Sequence, residues 1–312
     1  MIAPFHQMTT WSGPRSCRAN SWHEVPCPAC GSQEAEPVLQ ACGWQEAAAR
    51  IYAVVQCQTC GVWYTNPVPD DQCSGAQQRY SPLPETAPAL AALAAEVAPP
   101  PARGSWLLHF GPADVSFVER LRRRGWRVAL WREHPCEVPP DWWLAEGLAV
   151  FGSLEQLAQH CPGVLTTITV ADWFERQPRL AEILRLWHVL LKPSGRLVLL
   201  VPNLDGTGFR KYGSCWRGLD LPFRRVHFHA STLYPLLAQA GWRICRARTY
   251  PSLLWLQESA WRWRQSQTSK SPNWWRRLVA TSTWAHIFSI WFNRLCGRGD
   301  WLVVVAQPQH AS

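Results

Sequence analysis

The sequence predicts an α/β fold, a parallel sheet with helices on both faces, set behind a small cysteine-rich module. Three observations lead there. From residue 105 onward, short apolar runs alternate with helix-like segments. Before residue 80, the pattern Cys-x-x-Cys-Gly occurs twice, at Cys27-Pro-Ala-Cys30-Gly31 and Cys57-Gln-Thr-Cys60-Gly61. Between the two regions lies a stretch rich in Pro and Ala.

Taken in order, residues 1–22 read as a flexible lead and 23–80 as the cysteine module, with a strand at Ile51–Cys57 between its two knuckles. Residues 81–104 read as a linker holding a helix at Ala87–Val97 and stopped by Pro99-Pro100-Pro101. The 105–250 region carries the α/β core. Its predicted strands are Trp106–Phe110, Arg127–Trp131, Leu148–Phe151, Val164–Val170, Arg196–Val201 and Trp242–Tyr250. The interleaved helices are Val115–Arg124, Leu154–His160, Pro178–Leu191 and Ser231–Ala240, the last with Ser231 as its N-cap. Residues 251–298 form an aromatic, basic, amphipathic insertion, and 299–312 hold a last strand, Trp301–Ala306, and a tail.

Composition narrows the chemistry. The 312-residue chain is 47% hydrophobic, too apolar for a disordered protein. Its 21 tryptophans are read mainly as core, although pairs such as Trp126-Arg127 and Trp261-Arg262 also suit cation–π contacts. A net charge of +9 suits a partner bearing phosphate or carboxylate, whether a nucleotide-linked sugar, an anionic lipid or a nucleic acid. Nucleic acid is disfavoured because the knuckles themselves carry few basic residues. The run Arg120 to Arg124 is read as a solvated helix end. The N-terminus has no apolar signal region and no stretch is apolar enough to span a membrane, so a cytoplasmic protein with reduced thiols is expected. The insertion is read as a lid or oligomer contact in preference to a peripheral membrane contact, to the inner face of the membrane.

Reduced cysteines in this pattern are metal ligands. Two intervening residues let both thiolates of a knuckle reach one ion, and the following glycine allows the turn that aims amides at sulfur. Cys27, Cys30, Cys57 and Cys60 are therefore expected to hold one structural Zn2+, closed to substrate by its four thiolates.

Several segments together resemble a known family. Cys60-Gly61-Val62-Trp63-Tyr64-Thr65-Asn66-Pro67 looks like a CGLxFxNPxP segment, and Asp172-Trp173-Phe174-Glu175-Arg176 like DVLEH. Leu191 to Leu197 followed by Val201-Pro202-Asn203 looks like LKPGGRL and TPN. Trp216 to Leu233 is similar to WxGLDxPRHxxxFxxxTL. In this order they resemble class I S-adenosylmethionine-dependent methyltransferases with an N-terminal zinc-knuckle pair, over roughly residues 25–306. The resemblance implies a Rossmann-like, seven-stranded methyltransferase sheet preceded by a zinc-ribbon-like module. It also implies S-adenosylmethionine as cofactor and a small-molecule or glycan-type acceptor.

Carried over residue by residue, the resemblance places the cofactor at Gly111, Ala113, Asp114, Glu133, Ser153 and Asp172. It places the acceptor chemistry near His227, His229 and Asp220. The cofactor motif departs from the family. His109 stands where an acid is usual, Ala113 and Val115 replace glycines, and Arg132 replaces the acid that accepts from the ribose. Loss of one charged acceptor costs about 1.5–3 kcal/mol, so a catalytically degenerate relative serving as a binding module is the competing expectation. A nucleic-acid-binding or modifying protein is the third.

Overall fold

The computed structural model describes residues 22–43, 50–69, 86–131, 154–160, 162–266 and 297–309. Glu133, Ser153, Arg132, the expected strand at Leu148–Phe151 and residues 267–296 of the insertion lie outside them.

Among the described residues, six strands form the main sheet. They are β6 (Trp106–Phe110), β7 (Arg127–Trp131), β8 (Leu165–Ala171), β9 (Leu191–Pro202), β11 (Trp242–Tyr250) and β12 (Trp301–Pro308), in the spatial order β11-β12-β9-β8-β6-β7. The neighbours from β7 to β9 pair in parallel, whereas β12 runs antiparallel to both β9 and β11. This order is Rossmann-like, with one reversed strand slotted between β9 and β11. Because β7 lies on one side of β6 and β8 on the other, the chain reverses direction across the sheet between them. Ligands of open α/β sheets bind at such a switch point, beyond the carboxyl ends of the strands.

The sequence explains why the layers form. All of β8 is buried, as expected of a strand covered on both faces. One face is covered by α3 (Leu154–His160) and α4 (Leu180–Leu190). In α4, Leu180, Ile183, Leu184, Trp187 and Leu190 recur at helical spacing and are all buried. The opposite face is covered by α1 (Thr86–Glu96) and α2 (Val115–Arg123). The segment read as a linker thus supplies a core helix, with Leu90, Leu93 and Ala94 fully inside. Arg120, Arg122 and Arg123 sit in the last turn of α2, where the helix dipole favours cations.

A second sheet is built from β2 (Ala35–Gly43), β3 (Arg50–Cys57), β4 (Trp63–Thr65) and β10 (Val226–His227), in the order β10-β4-β3-β2. Its last member comes from the other end of the chain: Val226 pairs with Tyr64 and His227 with Trp63. Strands β1 (Trp22–His23) and β5 (Val68–Pro69) pair alongside. The cysteine module is thereby stitched to the loop that follows β9, and a further bond runs from the Leu180 amide to the Pro28 carbonyl.

The loops after β9 and before β12 are fixed by buried polar groups. Asp300 accepts from the amides of Gly208 in α5 (Thr207–Tyr212) and Ser252, and Asn203 donates to the Gly299 carbonyl. Helix α6 (Ala230–Gln239) starts one residue earlier than expected, so Ser231 lies in its first turn and His229 holds the cap position. Helix α7 (Leu253–Ser266) opens the insertion and buries Trp255, Leu256 and Ala260. Among the described residues no helix is long and apolar enough to cross a membrane.

Candidate functional site

The four knuckle cysteines converge as their spacing requires. Their sulfurs all lie within 4.8 Å of one another, with Cys27–Cys60 at 3.6 Å and Cys30–Cys57 at 3.5 Å. Four ligands at tetrahedral Zn–S distances would stand about 3.8 Å apart. The two knuckles repeat one backbone design: Gly31 donates to the Cys27 carbonyl and Gly61 to the Cys57 carbonyl, both glycines at positive φ. Burial pushes the Cys27 thiol up, so a neutral thiol is favoured there unless a cation compensates. The donor set and spacing fit a divalent, thiophilic ion, and none of the four thiolates is left to face substrate.

At the switch point, the turn after β6 lies against the end of β8. Gly111 has φ 106°, and any β-carbon there would collide with the Ala171 carbonyl, so glycine is required by strand packing itself. His109, in the position of the family's acid, is fully buried and spans the two strands. Its Nε2 lies 2.9 Å from the Pro112 carbonyl and its Nδ1 3.0 Å from the Thr169 hydroxyl. A carbonyl can only accept, so Nε2 carries the proton and Nδ1 accepts from Thr169. Burial pushes the imidazole down to about 4, which keeps it neutral. His109 thus holds the turn closed by a carbonyl bond and offers no negative charge.

The other cofactor-motif residues are placed as follows. Asp114 caps α2, accepting from the Phe117 amide at 2.7 Å and from Ser116 at 2.8 Å. Ala113 is packed in the core beneath α2, and Val115 is exposed on its first turn. Phe110, Trp131 and Trp173 gather over the carboxyl ends of β6, β7 and β8, with ring centroids 5.0–5.3 Å apart. Trp187 closes the cluster from α4.

Asp172 follows β8 with φ 48° and carries a charged network that sequence reasoning missed. It accepts from Arg176 at 2.9 Å and from Arg224 at 2.7 Å. Arg176 also reaches Asp220 at 3.1 Å, and Asp220 takes Arg217 at 2.6 Å. Arg217 continues to Glu258 at 2.8 Å. Arg224 further bonds Glu175 and the Gly218 carbonyl, and lies over the rings of Trp255 and Trp301. Burial opposes the charge on Asp172 and Asp220, but the surrounding guanidiniums outweigh it and hold both carboxyls low. Glu175, wholly buried, goes the other way: desolvation and the Asp172 charge push it up to about 7. Asp220 is expected from the resemblance to lie near the acceptor chemistry. Its two oxygens are bound to arginines, and a carboxylate held that low is a weak proton acceptor.

The two histidines part company. His227 is 3% exposed and lies within β10, 3.1 Å from the Thr65 hydroxyl. That hydroxyl already donates to the Arg224 carbonyl, so His227 Nε2 is the donor. Burial and the neighbouring Arg224 push its imidazole down to about 3, so it is a neutral link between the sheet of the cysteine module and the loop. His229 is partly exposed, at 24%, and its Nδ1 lies 2.9 Å from Asp205. Asp205 carries no local sequence signal, since its partner stands 24 residues away.

No family model and no curated protein matches the chain. Solved structures do resemble it. A SAM-dependent methyltransferase from Archaeoglobus fulgidus is 16% identical, with TM-score 0.41, over 65% of this chain and 86% of that one. The 1,6-didemethyltoxoflavin-N1-methyltransferase of Burkholderia thailandensis, crystallised with bound 1,6-didemethyltoxoflavin and S-adenosylhomocysteine, is 16% identical with TM-score 0.47. That match covers 88% of this chain and all of the other (100%). The [4+2]-cyclase SpnF is 14% identical with TM-score 0.47, over 72% and 81% of the two chains.

Proposed function

We propose that this chain is an S-adenosylmethionine-dependent methyltransferase acting on a small-molecule or glycan-type acceptor. The observation that supports it most is the switch point. Two residues with left-handed backbone, Gly111 and Asp172, meet there beyond the ends of β6 and β8, in a Rossmann-like sheet. The backbone frame fits the cofactor. The polar contacts fit it only in part, because His109 is neutral and Asp172 is already bound to two arginines. When bound, the cofactor supplies an electrophilic methyl group on sulfur. The chain's part is to orient the acceptor and keep water out, and positioning is the main source of rate in such a displacement.

That same pairing favours a second reading, a relative that keeps the fold and a ligand without transferring methyl. One assay separates the two. The protein is incubated with methyl-labelled S-adenosylmethionine and a small-molecule extract, and S-adenosylhomocysteine is followed against label in product. Protein-dependent, matched formation of both is expected. Cofactor that binds but is recovered unchanged with every extract would select the second reading.

A further inference from the structure

We propose that Asp205 positions His229 as a general base for a hydroxyl acceptor, with Trp63 of the cysteine module forming one wall of that site. The proposal rests on the methyl-transfer reading above.

The geometry is that of a base and its orienter. Asp205 is the third residue after β9, at the carboxyl end of the sheet, and its own amide is held by Asn203 Oδ1 at 3.1 Å. One carboxylate oxygen accepts the Ala230 amide at 2.8 Å; the other meets His229 Nδ1 at 2.9 Å. Burial alone would raise the Asp205 carboxyl, but the His229 and Ala230 bonds outweigh it and hold it below its ordinary value. A carboxylate only accepts, so it fixes a proton on His229 Nδ1, and in the neutral ring the lone pair then lies on Nε2. Among the described residues, Nε2 has no hydrogen-bond partner. The ring also packs edge-on against Trp63 at 5.1 Å, which in turn packs on Phe209 at 6.0 Å. Trp63 pairs with His227 two residues earlier in the loop, so the sheet of the cysteine module sets the imidazole's orientation.

A neutral imidazole is of most use to an acceptor that must lose a proton. As the acceptor oxygen bonds to the methyl carbon, the carbon–sulfur bond breaks and its electron pair stays on sulfur. The hydroxyl proton passes to Nε2. The positive charge that leaves sulfur reappears on the imidazolium, beside Asp205, and total charge is unchanged. Hydroxylated sugars or phenols are therefore the acceptor class, in preference to thioethers or other nucleophiles that carry no proton.

Asp205→Asn makes a sharp test. The Ala230 amide needs an acceptor and will claim the asparagine oxygen. The NH2 group then faces His229 and donates to Nδ1, which forces the proton onto Nε2 and blocks the base. Nitrogen-15 NMR of histidine-labelled full-length protein reads the tautomer without any substrate. The Nδ1–H form is expected in the wild type and the Nε2–H form in Asp205→Asn. Turnover with hydroxyl acceptors is expected to fall on the order of 100-fold or more in the variant. An Nε2–H wild type, or a variant that turns over like the wild type, would overturn the proposal. His229→Gln, which removes the ring, should match Asp205→Asn in turnover; full activity there would overturn it too. Absence of turnover in the wild type would overturn the methyl-transfer reading, and the base with it, even where the tautomers are as expected.

Discussion

Cys57→Ser, or removal of metal by a strong chelator, is expected to unfold the cysteine module and to loosen the loop behind β9. The magnitude follows from the role of the ion. Structural zinc at thiolate sites contributes roughly 10–16 kcal/mol of apparent binding energy, which is folding energy for the module that holds it. Here the module has little else of its own. Its knuckles are turns, the buried Tyr52, Val54 and Val55 of β3 pack into cores shared with the rest of the chain, and β4 leans on β10. Hydrogen exchange at Tyr64 and Val226 should therefore rise together with that at the knuckle amides, and metal analysis should show the loss of a single bound zinc. Protection that persists at Val226 in a metal-free chain would contradict the coupling. So would a wild type purified without zinc.

Arg224→Leu is expected to cost about 3–5 kcal/mol, because it leaves the buried Glu175 carboxyl without its guanidinium partner and takes one guanidinium from Asp172, which keeps Arg176. For a chain of this size that corresponds to a fall in Tm of roughly 10 °C. The leucine also loses the stacking of the guanidinium on Trp255 and Trp301. Arg224→Lys keeps the charge but not the forked donor, which bonds Asp172, Glu175 and the Gly218 carbonyl together, so an intermediate loss is expected. Adding Glu175→Leu to Arg224→Leu should recover part of the stability, since the pair is then replaced by apolar packing. Thermal unfolding measures all three. A change under about 1 kcal/mol for Arg224→Leu would show that the network is solvated and dispensable.

The parts of this protein that were legible in sequence are those written locally. The knuckles are read from two cysteines and a glycine, because thiolate reach and turn geometry depend only on neighbouring residues. Strands such as Trp106–Phe110 and Trp242–Tyr250 announce themselves as apolar or β-prone runs between turns, and both occupy those bounds in the structure. The reversed direction of β12 is not written in its residues, since antiparallel and parallel buried strands share one apolar pattern. Strand β2 was missed because Glu36, Pro37 and Gln40 interrupt its pattern on a half-exposed edge.

The candidate site was legible only in outline. The replacement of an acid by His109 could be seen, but its partners Pro112 and Thr169 follow from how two parallel strands align. Arg176, Arg217 and Arg224 look like ordinary surface charges in sequence. They meet because the segments after β8 and β9 fold back on each other, bringing together residues 44 and 52 positions apart. His227 and His229 alternate in sequence, and only the pairing of β10 with β4 decides which is buried and which faces outward.

The central claim is that the rim beyond β6 and β8 holds an S-adenosyl cofactor. Isothermal titration of the zinc-loaded chain with S-adenosylmethionine tests it most directly. Saturable binding in the micromolar range, at one cofactor per chain, is the expected result. No heat of binding at millimolar cofactor would contradict it.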